Sequence, residues 1–356
     1  MARAPAPADD APEPDRRDGA PHPREAPRLH GHHGAQAEAL DALRTGKLHS
    51  GWLLSGPEGV GKATFAYRFA AALLAGVDSF ALPPDHPDAR LVRAGSHPRL
   101  HVLRRGADDK GKLRTQITVD DARGLGAFLH LSAADGGRRV VIVDPADELN
   151  PNAANAILKL LEEPPPRTHL LLVAHRPAGL LPTVRSRCRT LRLGPLAPLD
   201  VAAVLADIAL APDDPARLAE LAQGSPGRAV DLLAGGGDAL YADLLALLAT
   251  LPRLDRARAL RLSEGIGQRF DLALDLLDLL LSRAARAGLH GPPPEATPGE
   301  SALLARLSPH DRAARAWASV QSEASARARA GRAVNLDPAA LLLDTLLRIE
   351  AAARAA

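Results

Sequence analysis

The sequence predicts an α/β domain with a parallel sheet, followed by a few short amphipathic helices and an all-α C-terminal domain. A short apolar run, a glycine-rich loop and a helical pattern follow one another over residues 51–74. Further along, two continuous apolar runs, "VVIV" and "LLLV", are separated by an amphipathic segment. Apolar runs that alternate with helices are typical of strands buried on both faces of a parallel sheet. After about residue 197 only Leu/Ala-rich patterns of helical period remain.

The bulk composition bounds the class of protein. A chain of 356 residues predicts two or three domains, and a formal net charge of +2 does not by itself indicate nucleic-acid binding. Cys188 is the only cysteine, which excludes an intrachain disulfide and a cysteine-based zinc site. Neither a signal-peptide pattern nor a membrane-spanning run occurs, so we expect a cytoplasmic protein without a membrane partner.

The domain boundaries follow changes in composition. Residues 1–28 are rich in Pro, Ala, Asp and Arg, with almost no large apolar side chain, and predict a disordered tail. The α/β domain is expected over 29–196, a segment of short helices over 197–237 and the helical C-terminal domain over 238–356. Prolines predict an irregular stretch over 76–116.

The elements within the α/β domain follow from local pattern. "QITVDD" predicts a short strand through Ile117 and Val119, then a helix that begins at the acidic pair. Val140–Val143 form the clearest buried strand. A helix follows between Pro151 and a triple proline, and "HLLLVAH" is the next buried strand.

The glycine-rich loop "GPEGVGKAT" carries a phosphate-binding motif with one defect. Backbone amides of such a loop hold phosphate at a helix N-terminus, and Lys62 adds a positive charge. The next residue normally supplies a hydroxyl to magnesium, but here it is Ala63. Thr64 lies about 100° further round the helix and is a poor replacement. The candidate nucleotide-binding residues are Gly56, Gly59, Gly61, Lys62, Thr64 and Asp144.

The acidic end of the "VVIV" strand carries a second defect. Asp144 is in place for magnesium, but the following position, where a catalytic glutamate is expected, is Pro145. Asp147 and Glu148 are near in sequence, but a general base must reach the attacking water. Two failed positions indicate a chain that does not hydrolyse ATP, while weak ATP binding stays open.

The stretch "PTVRSRCRTL" places three arginines ahead of a predicted strand. By charge alone it is a solvated basic loop. The alternative is an arginine finger that stabilises the transition state at a neighbouring chain's γ-phosphate.

Taken together, these motifs resemble one family. "GPEGVGKAT", "VVIVDPADELNPNAANAILKLLEEPP", "LLPTVRSRC" and "GSPGRA", in this order, are similar to the delta-prime subunits of bacterial DNA polymerase III. The resemblance covers residues 30 to about 235 with specific motifs and the remainder in type only. It implies an AAA+ P-loop module, a lid, and a helical collar in a sliding-clamp loader.

The resemblance also implies roles for single residues. Arg187, in the Ser-Arg-Cys motif, would be the arginine finger, Arg228 a lid sensor and Lys159 a contact to DNA. The implied partners are the motor and delta subunits, the sliding clamp and primer-template DNA. Many family members carry a four-cysteine zinc module where this chain has no cysteine, so we expect no zinc and no required cofactor.

Three functions therefore compete. The first is a non-hydrolysing stator within the DNA polymerase holoenzyme, which leaves open whether the chain alone is an enzyme. The second is an active AAA+ ATPase that uses Thr64 and Asp147 in place of the usual groups. The third, a free-standing nucleic-acid adaptor, is disfavoured by the near-neutral charge and the lack of clustered aromatics.

Overall fold

A computed structural model describes residues 13–108, 111–131 and 136–355. The described residues form one five-stranded, wholly parallel sheet with the strand order β2-β3-β4-β1-β5. The strands are β1 (Gly51–Ser55), β2 (Leu100–Leu103), β3 (Arg139–Val143), β4 (Thr168–Ala174) and β5 (Arg189–Arg192).

Helices cover both faces of the sheet and make up the C-terminal part. Those of the first 211 residues are α1 (His33–Arg44), α2 (Lys62–Ala75), α3 (Pro87–Arg93), α4 (Val119–Leu131), α5 (Pro151–Glu162), α6 (Pro182–Arg185) and α7 (Pro198–Asp207). Those that follow are α8 (Pro215–Leu221), α9 (Pro226–Ala234), α10 (Gly237–Leu248), α11 (Arg256–Glu264), α12 (Phe270–His290), α13 (Glu300–Leu307), α14 (Asp311–Ala333) and α15 (Pro338–Ala355). None of the described helices is both long and apolar enough to cross a bilayer.

The alternation of side chains along β3 divides the core of the α/β part in two. Val140 and Ile142 point into the cluster formed with α1 and α2, and Val141 and Val143 into the cluster formed with α4 and α5. All four are fully buried, as expected of a strand covered on both faces.

Three segments differ from the sequence-based expectations. Residues 13–28, expected to be part of a disordered tail, contain a short 3-10 helix at Pro23–Glu25 and the fully buried His22. Polar contacts rather than apolar burial hold residues 13–28. Residues 1–12 lie outside the described part, and the tail over 1–28 stays a prediction. The expected irregular stretch contains α3 and the edge strand β2.

The predicted strand through Ile117 and Val119 reduces to a single bridge. Ile117 pairs only with Leu149, and Val119 already begins α4. The cause is a capping interaction, in which the backbone N–H of Thr118 donates to the Asp121 carboxylate at 2.8 Å.

The chain divides into two compact units. The first comprises residues 1–211 with 224–227, and the second 212–223 with 228–356. The second unit contains a buried ionic network: the Glu300 carboxylate accepts from Arg283 Nε at 2.6 Å and from the Tyr241 hydroxyl at 2.5 Å. The sequence-based domain boundaries stay predictions.

Candidate nucleotide site and arginine turn

The phosphate loop joins β1 to α2 by a turn that only glycine fits. Gly56 has a φ of +155°, and a Cβ there would lie 1.9 Å from the carbonyl oxygen of Leu193. Gly59 and Gly61 also have positive φ, at +74° and +98°. The loop therefore has the backbone form that places amides at the N-terminus of α2.

Lys62 is turned toward the loop itself. Its ammonium donates to the carbonyl oxygens of Gly56 at 2.8 Å and Pro57 at 2.5 Å. Burial lowers the pKa of Lys62 to about 8, against the opposing pull of the Asp144, Glu58 and Asp147 carboxylates. A phosphate would have to replace these two carbonyls as the partner of the ammonium.

The metal half of the site does not fit magnesium. Ala63 has no ligand atom, and Thr64 is half-buried on the first turn of α2. Asp144 is 5% exposed at the end of β3. Burial, and then the charge of Asp15, raise the pKa of Asp144 to about 7, with Lys62 opposing. A carboxyl group in this state is a weaker ligand for a cation than an ionised one.

The two acids proposed as substitutes are engaged elsewhere. The Asp147 carboxylate accepts the backbone N–H groups of His175 at 2.9 Å and Arg176 at 3.2 Å. Glu148 forms an ion pair with Arg105 at 2.9 Å. Asp147 therefore organises the loop after β4, which is a structural use of the carboxylate.

Two further contacts brace the phosphate loop. His32 Nε2 lies 2.8 Å from the Val60 carbonyl oxygen. The Ser225 hydroxyl donates to the Glu58 carbonyl at 2.9 Å, and the Gly227 N–H donates to Gly59 at the same distance. Ser225 and Gly227 belong to the "GSPGRA" motif, whereas no signal in the sequence marks the contact of His32.

Arg228 and Lys159 occupy unremarkable positions within their own units. The Arg228 guanidinium donates to the Gln223 side chain at 3.3 Å and to the Asp275 carbonyl at 3.0 Å. Lys159 is exposed on α5. Their roles as lid sensor and DNA contact stay predictions.

Arg187 lies at the amino ends of the parallel strands, whereas the phosphate loop lies at their carboxyl ends. Its carbonyl oxygen is 3.2 Å from the position of a Cβ on Gly51, the first residue of β1, whereas the loop begins after the last residue. The length of β1, about 16 Å for five residues, separates the two. Arg187 is therefore not placed to serve the phosphate loop of its own chain.

The segment 182–189, called the arginine turn, holds the side chain of Arg187 differently from those of Arg185 and Arg189. The Arg187 guanidinium, 40% exposed, pairs with Glu162 at 2.9 Å and donates to the Thr183 carbonyl at 3.1 Å. Arg189 pairs with Glu38 at 2.7 Å and stacks over Trp52 at 5.2 Å. Arg185 Nη1 donates to the Pro177 carbonyl oxygen of the preceding turn at 3.5 Å. Arg187 thus forms a short ion pair with Glu162 at the exposed amino end of the sheet.

The histidines of the segment expected to lack zinc have other partners. His97 Nε2 lies 2.9 Å from the Asp88 carboxylate, and His86 caps the N-terminus of α3. The His101 ring contacts Phe128 at 5.3 Å. Among the described residues no group of three or more His, Cys, Asp or Glu is arranged to hold a metal ion.

Comparison with known proteins identifies the family. The profile described as "DNA polymerase III, delta subunit" matches residues 33–197. The DNA polymerase III subunit delta' of Escherichia coli is 30% identical over 322 residues, which cover 87% of this chain and 91% of that protein. The chain belongs to the DNA polymerase III delta-prime family.

A second delta-prime subunit matches about half of the chain. The delta-prime subunit of Pseudomonas aeruginosa is 42% identical, but the match spans only 49% of this chain and 53% of that protein. A gamma subunit-related protein of Thermotoga maritima has 18% identity and a TM-score of 0.38, covering 89% of this chain and 99% of that one. The resemblance drawn from the motifs is confirmed. The expected fold class of this delta-prime family member, a P-loop module with a parallel sheet and a helical C-terminal part, is confirmed by the sheet and helices described above.

Proposed function

We propose that this chain is the non-hydrolysing stator of a DNA polymerase III clamp loader and supplies Arg187 to the ATP site of a neighbouring motor subunit. The observation that carries the proposal is the position of Arg187, exposed at the edge of the sheet remote from its own phosphate loop. A guanidinium acts on a γ-phosphate only at close range. In this position its target belongs to another chain.

The state of the chain's own site supports the non-hydrolysing part of the proposal. Ala63 offers no magnesium ligand, and Pro145 offers no base. Asp147, the substitute required by the active-ATPase alternative, is 4% exposed and bound to two backbone N–H groups. The chain then needs no cofactor of its own and acts in a cytoplasmic complex with motor and delta subunits, the sliding clamp and primer-template DNA.

The decisive experiment compares two arginines of the same turn. The Arg187→Ala variant should assemble normally with the other loader subunits but slow the ATP hydrolysis of the complex. Loss at the affected site is expected to approach about 10³-fold, with a smaller effect on the total because other sites contribute. Arg185→Ala, which removes the same charge two residues away, should leave the rate within about twofold.

The measurement is steady-state phosphate release by the reconstituted complex, with assembly checked by gel filtration. Equal rates for the Arg187→Ala complex and the parent would remove the finger assignment. A loss of assembly in Arg187→Ala alone would assign the residue to the interface instead.

A further inference from the structure

Residues 13–21, called the strap from here on, are held to the module by a buried carboxylate. The Asp15 side chain is 1% exposed. It lies 2.9 Å from His22 Nε2 and accepts from Arg104 Nη1 at 2.6 Å and from the Tyr67 hydroxyl at 3.2 Å. Burial alone would raise the pKa of Asp15, but these partners outweigh it and lower the pKa to about 2. The strap is thus fixed at Asp15 by charge-assisted hydrogen bonds.

The partners of Asp15 locate this anchor. Arg104 directly follows β2 and Asp144 directly follows β3, and these strands are parallel neighbours. Tyr67 is on α2, just after the phosphate loop. Asp15 therefore lies above the carboxyl ends of β2 and β3, against α2, where its charge also acts on Asp144.

A second anchor holds the strap to the tip of the phosphate loop. Arg17 Nη2 pairs with Glu58 Oε1 at 2.9 Å. A Cβ placed on Gly227 would lie 3.0 Å from Arg17 Nε and 2.8 Å from the Cα of Gly59. The Arg17 side chain therefore packs where the loop and the turn at 224–227 meet.

The two anchors fix the course of the strap across the site. Asp15 and Arg17 are two residues apart, so their Cα atoms are at most about 7 Å from each other. Within that distance the strap passes from the strand ends to the loop tip, over the N-terminus of α2. In open parallel sheets with a phosphate loop, this is the place of the ligand's phosphates.

We propose that the strap is an intramolecular occupant of the phosphate loop and excludes nucleoside di- and triphosphates from it. The Asp15 carboxylate adds a negative charge where phosphates would lie, and the positive charge of Arg17 is neutralised by Glu58. Lys62 donates to the loop carbonyls in the same arrangement. The proposal concerns this chain's own loop and does not depend on the role of Arg187.

Nucleotide titration of two chains tests the proposal. N-Methylanthraniloyl-ADP with Mg²⁺ is titrated into the full chain and into a chain that lacks residues 1–20, followed by fluorescence anisotropy. The apparent Kd equals the intrinsic Kd divided by the fraction of open molecules, so a strap closed in about 90% of molecules gives a tenfold difference. We expect the shortened chain to bind at least about tenfold more tightly.

Point variants of the full chain decide the question if the shortened chain does not fold, as judged by circular dichroism and thermal melting. Arg17→Glu opposes Glu58 and should tighten nucleotide binding severalfold, while the Asp15 anchor stays intact. Arg16→Glu is the matched control: the Arg16 side chain is exposed and, among the described residues, donates to the Ala20 carbonyl within the strap, so the Kd should not move.

Two results would overturn the proposal. Equal affinity of the full chain, the shortened chain and Arg17→Glu would show that the strap does not cover the loop. Failure of all of them to bind would show that the loop itself rejects nucleotide and the strap excludes nothing.

Discussion

Asp144 is a carboxyl group in an unfavourable environment for a negative charge. It is buried and close to the charge of Asp15, and the Lys62 ammonium offsets this only in part, so its pKa rises from 3.8 to about 7. The folded chain then holds a proton that the unfolded chain releases above pH 4. Between about pH 4 and 7 this residue therefore lowers the free energy of unfolding progressively as the pH rises.

Removal of that charge should stabilise the protein at alkaline pH. We expect Asp144→Asn to raise the free energy of unfolding by about 1–3 kcal/mol at pH 8, with the gain disappearing near pH 4. Urea denaturation at several pH values measures the difference. Asp41→Asn, on the exposed face of α1, is the control and should change stability by no more than about 0.5 kcal/mol. An Asp144→Asn chain less stable than the parent at pH 8 would show that Lys62 outweighs burial.

Arg187 and Glu162 form an ion pair at the amino ends of the strands, the end opposite to Asp144. Both side chains are about 40% exposed, at 40% and 43%, so the pair is screened by water and contributes little to stability. Its use is geometric, because it holds a long flexible side chain near one position. Under the proposed function, this pair keeps the guanidinium close to the position from which it would meet a neighbouring chain's γ-phosphate.

At the scale of elements, the turn from β1 into α2 depends on glycine at its first position. In Gly56→Ala the new Cβ meets the Leu193 carbonyl at 1.9 Å, and the backbone φ of +155° is strained as well. We expect a loss of roughly 3 kcal/mol or more in the free energy of unfolding.

The Gly46→Ala variant separates the steric contact of the new Cβ from the cost of a positive φ. Its φ is also positive, at +69°, but nothing lies within 4 Å of the added Cβ, so only the conformational cost of about 1 kcal/mol applies. Chemical denaturation of both variants gives the comparison. Similar losses for the two would mean that the backbone at Leu193, just after β5, moves aside and the turn tolerates a side chain.

The elements that could be predicted are those whose signal is local. The strands β1, β3 and β4 are continuous apolar runs, and α5 lies between a proline start and a proline stop. The edge strand β2 was missed because it is four residues long, only partly buried and follows a proline-rich stretch. Helix α3 was missed for a related reason, since seven residues give too few turns to establish a period.

The strap could not be predicted because its contacts are distant in sequence. Asp15 meets Arg104 across 89 residues, and both are ordinary surface residue types. Polar composition indicates that a segment cannot build an apolar core, but it does not exclude docking by buried ion pairs. The same limit applies to His32, which reaches Val60 across 28 residues.

At the scale of the whole molecule, different functional groups lie at the carboxyl and amino ends of the parallel strands. The carboxyl end has a phosphate loop without a metal hydroxyl, an acid followed by proline, and the strap across it. The amino end presents Arg187 from an exposed turn. These deficits are separate, so repair of one should not restore catalysis.

A single repair tests that conclusion. Ala63→Ser returns the hydroxyl that a phosphate loop uses to bind magnesium, but Pro145 still has no base and Asp147 stays bound to backbone N–H groups. We expect neither the parent chain nor Ala63→Ser, purified alone, to release phosphate from MgATP above the background set by Lys62→Ala. Turnover in Ala63→Ser that the added Lys62→Ala change abolishes would mean that the metal ligand was the only limiting group, and the chain would then be a repressed ATPase rather than a stator.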